Sequence, residues 1–171
     1  MPTNVEVKSR VTDLAPIRAR IEPLADGPAQ ILDQEDIFFA APDGRLKLRI
    51  LADGSGELIH YHRGDIAGPK TSHYTIAPTT DPDALRAILS SVLGVLGVVR
   101  KRRRLYRVGQ TRVHLDEVEG LGEFVELEVV LRPDQDEVEG IAIAHGLMAQ
   151  LGIAEGELVD VAYIDLMGGG S

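Results

Sequence analysis

Apolar and charged residues alternate along eight short stretches of this 171-residue chain, at roughly 3–11, 34–40, 45–52, 57–64, 70–77, 98–108, 111–118 and 123–132. A period of two is the signature of a strand, whose residues i, i+2 and i+4 share a face. In the first stretch Asn4, Glu6, Lys8 and Arg10 therefore point one way and Val5, Val7 and Val11 the other. Turn residues separate consecutive stretches: Pro42-Asp43-Gly44, Asp53-Gly54-Ser55-Gly56, Gly109-Gln110 and Gly120-Leu121-Gly122. Proline presets φ, glycine supplies positive φ and Asp bonds its own backbone, so these connections predict antiparallel neighbours.

Three segments change to a helical period. Thr12 or Asp13 can cap a helix whose Leu14, Ile17, Ile21 and Leu24 form one stripe. Asp81-Pro82 starts a second, with Leu85, Ile88, Leu89 and Val92 predicted to face inward. Asp134 opens a third, with Val138, Ile141, His145 and Met148 along one side and Gly152 as its stop. A shorter apolar segment runs from Leu158 to Met167.

The helices need an apolar surface, and the strands supply one. If helices cover that face from outside, the charged face points inward, and eight antiparallel strands can close into a barrel without free edges. The expected fold is α+β: an eight-stranded antiparallel β-barrel with a charged lumen and helices packed on the outside. The alternative is an open sheet with its charges in solvent, which periodicity does not separate from a barrel. Residues 1–167 are expected to form a single domain, with 168–171 as a flexible tail.

Charge sharpens this picture. The net charge of −9 argues against nucleic-acid binding, yet Lys8, Arg10, Arg45, Lys47, Arg49, Arg63, Lys70, Lys101, Arg103 and Arg112, ten of the eighteen lysines and arginines, all lie on or at the ends of the candidate strands. An acidic protein that gathers cations on strands offers them to something small and strongly negative; surface scatter is the plainer alternative. The basic run 100–104 could be read as a nucleic-acid patch, a reading this acidic context disfavours. There is no cysteine, no secretory pattern and no membrane-length apolar run, so a soluble, cytoplasmic protein with no membrane partner is expected. His60 and His62 flank Tyr61 on the opposite face and read as strand-surface residues more readily than as a metal pair.

Glu126 and Glu128 share a strand face roughly 7 Å apart at the backbone, a spacing from which two carboxylates can converge on one Mg²⁺ or Mn²⁺. Glu6 and Asp116 supply further oxygens from other strands. Lys47 with Arg49, and Lys101 with Arg103, share faces, and guanidinium groups match phosphate oxygens bidentately. Cations for a triphosphate and carboxylates for its metals form the arrangement that phosphoryl or nucleotidyl transfer needs.

Asn4-Val5-Glu6-Val7-Lys8 resembles the N-terminal E-x-E-x-K signature of the CYTH proteins, the class IV adenylyl cyclases and thiamine triphosphatases also called triphosphate tunnel metalloenzymes. The likeness continues in order through Gln34 to Phe39, Arg45 to Arg49, Tyr61 to Arg63, Gly68 to Tyr74, Lys101 to Arg103, Arg112 to Asp116, Gly122 to Glu128 and Tyr163 to Leu166. The resemblance implies an eight-stranded tunnel, with Glu6, Asp116, Glu126 and Glu128 on Mg²⁺ or Mn²⁺. It implies substrate binding by Lys8, Arg10, Lys47, Arg49, Arg63, Lys70, Lys101, Arg103 and Arg112, and chemistry by Lys8, Glu6, Glu126 and Glu128, with Lys8 a candidate general base. It also selects Lys101 and Arg103 over their neighbours 100, 102 and 104, which parity alone does not. The expected activity is conversion of ATP to cyclic AMP and pyrophosphate. Hydrolysis of thiamine triphosphate, inorganic triphosphate or a nucleotide is the first alternative, and polyphosphate binding without turnover the second. A homodimer would fit the family. One departure stands out: Asn4 occupies the place of the family's first glutamate, which predicts weaker metal binding there.

Overall fold

The structure, a computed structural model, describes residues 3–63, 68–154, 158–159 and 163–167, the side chain of Arg63 excepted. Eight strands, β1 (Thr3–Val11), β2 (Gln30–Phe39), β3 (Arg45–Leu51), β4 (Gly56–Arg63), β5 (Lys70–Thr79), β6 (Val95–Val108), β7 (Thr111–Val118) and β8 (Gly122–Val130), close into one barrel. Every pairing is antiparallel, in the order β1-β5-β4-β3-β2-β6-β7-β8. Two meanders, β2–β5 and β6–β8, meet along β2 and β6, and β1 seals the other side by pairing with β5 and β8. The open-sheet alternative is thereby excluded. The turns act as their residues dictate: Gly44 has φ of 70°, and a Cβ there would lie 2.7 Å from the carbonyl oxygen of Tyr61.

The described residues form four helices, α1 (Ala15–Ile21), α2 (Pro82–Leu93), α3 (Glu137–Leu151) and α4 (Tyr163–Leu166). The first three pack on the outside, whereas α4, contrary to the expectation of outer helices, packs against the inward-facing Phe38, Val99 and Phe124 at one end of the barrel. No helix among the described residues is long and apolar enough to cross a membrane. The main core sits between α1, α3 and the outward apolar residues of β1, β7 and β8, among them Val5, Val7, Val113, Val125 and Leu127. The helix-1 stripe holds, with Ile17 and Ile21 buried and Leu14 and Leu24 packed against them. Asp13 accepts from the Ala15 amide.

The other two helix faces differ from expectation. On α2, Leu85, Leu89 and Leu93 meet Ile37, Phe39 and Leu48, while Ile88 and Val92 are 58% and 73% exposed. On α3, Asp136 rather than Asp134 caps, in a reciprocal capping box with Glu139. Its buried face is Gly140, Ala144, Leu147, Met148 and Leu151; Val138 is 72% exposed, Ile141 is only half-buried and His145 is exposed. The reason is close approach. A Cβ on Gly140 would stand 2.6 Å from Leu131 and 2.7 Å from Val5, so the helix lies on the barrel through its small residues.

Strands β2 and β6 begin earlier than their alternation suggested, at Gln30 and Val95. Residues 64–67 and the expected tail at 168–171 lie outside the described residues.

Candidate functional site

The inward parity of every strand leads to one cavity of about 220 Å³. Its wall includes Asn4, Glu6 and Lys8 from β1, Gln34 and Asp36 from β2, and Lys47 and Arg49 from β3. Lys101 and Arg103 from β6, Arg112 and His114 from β7, and Glu126 and Glu128 from β8 complete the charged part. The run 100–104 splits by parity: Lys101 and Arg103 enter the lumen, whereas Arg100 and Arg102 pair outside with Glu35 and Asp33.

Two buried carboxylates order these cations. Asp36 takes Arg49 with both oxygens at 2.8 Å, and its Oδ2 lies 3.4 Å from Lys47 Nζ and 3.6 Å from Lys101 Nζ. Burial pushes the Asp36 carboxyl up, but the charges of Arg49, Lys47 and Lys101 outweigh it and hold it well below the usual range. Asp116, fully buried, takes Arg103 with both oxygens at 2.8 Å and accepts from the Tyr163 hydroxyl at 2.8 Å. Lys101 shows the cost of crowding. Burial, then the charge of Arg103, brings its amine down to about 7.

Glu126 and Glu128 converge with His114. One ligand atom from each lies within 4.8 Å of the others, the one such trio among the described residues. Burial pushes Glu126 up, yet Lys8, Arg103, His114 and Lys101 hold it well below the ordinary carboxylate range. Glu128 accepts from Arg112 at 2.7 Å. Burial and the charge of Arg103 lower His114 to about 4, so it is neutral at physiological pH. Asn4 Oδ1, Gln34 Oε1, Arg112 Nε and His114 Nδ1 are buried without a hydrogen-bond partner. Unpaired oxygen and nitrogen beside two carboxylates suit a hard or borderline cation.

Glu6 on β1 stands opposite Glu128 on β8 and opposite Lys70 on β5. Lys70 is buried on the inward parity of β5, which also places Ser72 and Tyr74 in the wall. Asp116 lies behind Arg103 rather than in the Glu126–Glu128–His114 trio. Arg10 lies at the exposed end of β1, its guanidinium 4.8 Å from the Phe124 ring and donating to the Leu121 carbonyl. The Arg63 side chain lies outside the described residues. His60 and His62 bond Asp43 on the outer face, away from the cavity.

The two ends of the cavity differ. Towards the ends where β2 and β8 stop and start, α4 places Tyr163 in the wall. Its ring lies 3.7 Å from Lys8 Nζ and packs edge-on against Phe124. Gly97 makes room for this helix, since a Cβ there would lie 2.4 Å from Ile164. Away from Tyr163 the wall carries apolar Leu32, Ile59, Ile76 and Leu105 beside Tyr74, with the charged Glu57 and Arg107 among them.

Asp36, His114 and Tyr163 were not assigned roles from the sequence. His114 alternates in phase with Arg112 and Asp116, and Asp36 with Gln34, so parity alone could have marked both as inward. Tyr163 arrives on a four-residue helix, which no strand period could orient.

The CYTH domain model matches residues 2–163. A Methanocaldococcus jannaschii protein named "putative adenylate cyclase" is 25% identical over 172 aligned positions, covering 96% of this chain and 98% of that one. The solved PH1012 protein of Pyrococcus horikoshii is 28% identical, with a TM-score of 0.83 over 95% of this chain and 98% of that one. A Hippeastrum protein described as a putative adenylyl cyclase with a dominant triphosphatase activity shares the fold at 15% identity. Its TM-score is 0.70 over 100% of this chain and 97% of that one.

Proposed function

From the premise that the chain belongs to the CYTH family of metal-dependent tunnel enzymes, we propose that it converts ATP to cyclic AMP and pyrophosphate. The observation that carries this reading is an apolar patch of the lumen wall, Leu32, Ile76 and Leu105, beside the cations, with Leu32 paired to Arg103 in the sheet. A triphosphate among Lys47, Arg49, Lys101 and Arg103 would leave its nucleoside against that apolar patch. A bare triphosphate would leave it unused.

Lys8, Lys47, Arg49, Lys101, Arg103 and Arg112 line the cavity and bind and orient the phosphates, with Lys70, Arg63 and Arg10 as further candidates from the sequence. In the reaction the ribose 3′-oxygen bonds to the α-phosphorus, the bond from that phosphorus to the β-bridging oxygen breaks, and pyrophosphate departs. Glu126 and Glu128, with Glu6 beside them, would hold Mg²⁺ or Mn²⁺. A bound ion of this kind neutralises the phosphates and the leaving pyrophosphate. Asp116 keeps Arg103 aimed into the lumen. Lys8 is the candidate to take the 3′-hydroxyl proton. The Tyr163 ring and the nearby Glu126 both favour its charged form, so a purely phosphate-binding role competes with that assignment. Loss of turnover at unchanged affinity in Lys8→Ala would support the base; loss of affinity with turnover kept would remove it.

A second reading, hydrolysis at the terminal phosphorus, uses the same tunnel with a different phosphorus meeting the nucleophile; the neutral Asn4, one carboxylate short of the family pattern, supports a third, polyphosphate binding without turnover. The test is incubation with ATP and Mg²⁺ or Mn²⁺, with the products resolved chromatographically. Cyclic AMP with pyrophosphate is expected. ADP with phosphate would replace the cyclase reading with hydrolysis, and untouched ATP that still binds would leave a polyphosphate-binding module.

A further inference from the structure

His114 is the lumen residue that neither the cation set nor the carboxylate set accounts for. It sits mid-strand on β7, opposite Glu126 on β8, with its neighbours in phase, Arg112 and Asp116, both committed to ion pairs. The residue is only 4% exposed. Its Nδ1 lies 3.5 Å from Glu128 Oε1, outside hydrogen-bond geometry, and has no partner. A buried polar atom left unpaired loses its hydration without compensation, so the site is built to receive a partner there. Ligand atoms of His114, Glu126 and Glu128 all lie within 4.8 Å of one another, close enough to share one centre.

We propose that His114 is a direct ligand of the divalent cation held by Glu126 and Glu128. The site is then a mixed nitrogen–oxygen centre that favours Mn²⁺ and other transition ions over Mg²⁺. The inference rests on the metal-dependent reading above and adds a ligand to it. Mg²⁺ takes oxygen ligands and keeps its waters, whereas imidazole suits the first-row transition ions. Two carboxylates and one neutral imidazole also leave three positions of an octahedron for phosphate oxygens or water. His114 supplies the centre with a further donor atom, while the negative charge that Asn4 leaves out is not replaced.

The test is pulsed electron paramagnetic resonance of the full chain loaded with Mn²⁺, in wild type and in His114→Gln, with His114→Asn as a second variant and folding checked by circular dichroism. Directly bound imidazole gives a resolved ¹⁴N coupling to Mn²⁺. The expected result is that coupling in wild type and its loss in the variants. Mn²⁺ affinity should fall at least about tenfold, the scale on which even outer-sphere partners of a metal act, with Mg²⁺ affinity changed far less. Mn²⁺ bound with no nitrogen coupling in wild type would overturn the assignment without any variant and leave the carboxylate site standing. A coupling that persists in a folded variant would also overturn it. Absence of any Mn²⁺ binding would overturn both this assignment and the metal-dependent reading beneath it.

Discussion

Asp36 holds more of the lumen together than any other single residue. Its carboxylate faces Arg49, Lys47 and Lys101 at once, and all four side chains are largely buried. In Asp36→Asn those three cations face one another without an anion, and breaking a buried ion pair in this way costs about 3–5 kcal/mol. Denaturant melts at neutral pH should show that loss, and added tripolyphosphate should raise the melting temperature more in the variant than in wild type. The sign with pH follows from the depressed folded-state pKa. The Asp36 contribution is complete above the ordinary carboxylate range and is lost as pH falls through the folded value. Lys101 gives a second, opposite signature. At pH 8 its amine, lowered to about 7, is mostly neutral in the empty lumen, and an arriving polyanion favours the charged form. Tripolyphosphate binding in chelator should therefore take up protons, seen as a dependence of calorimetric heat on buffer ionisation enthalpy. Lys101→Arg should abolish the uptake; binding without proton exchange in wild type would contradict the lowered amine.

At the scale of elements, the strands were legible and the helix faces only in part. Strand alternation has sharp contrast on β1, β3 and β8, where Glu6, Lys8, Lys47, Arg49, Glu126 and Glu128 alternate with Val, Leu and Ile. Even the split of the run 100–104 follows once one inward residue is known. Helix α3 offers no such contrast: Val138, Ile141 and Met148 mark one stripe by hydropathy, but contact distance decided for Gly140 and Ala144. A paired substitution tests this. Gly140→Ala forces a methyl against Leu131 and Val5, so overpacking of about 1–3 kcal/mol should exceed the gain of at most about 1 kcal/mol in helix propensity. Gly146→Ala, with nothing within 4 Å of its Cβ, should gain stability by up to about 1 kcal/mol. Equal effects of the two in chemical denaturation would place α3 differently on the barrel. Likewise Ile88 and Val92 fit a helical stripe by period, yet Leu85, Leu89 and Leu93 are the residues that meet the barrel.

At the scale of the molecule, the closed barrel turns residues distant in sequence into one site. Lys8 and Glu126, 118 positions apart in the chain, become neighbours because β1 pairs with β8, and Asp36 meets Lys101 because β2 pairs with β6. Periodicity left closure open against an exposed sheet; the mixture of cations and carboxylates on one face, and the ordered family likeness, favoured it. The apolar patch of the lumen was not legible, since Leu32, Ile76 and Leu105 look like ordinary strand residues until the register sets them beside the cations. That arrangement of the lumen is the central claim, and a crystal structure with a non-cleavable ATP analogue tests it most directly. The account predicts the triphosphate among Lys47, Arg49, Lys101 and Arg103, with adenine towards Leu32, Ile76 and Leu105. A nucleotide bound on the outer surface, or one with its adenine against Tyr163 and its phosphates at the apolar patch, would contradict it.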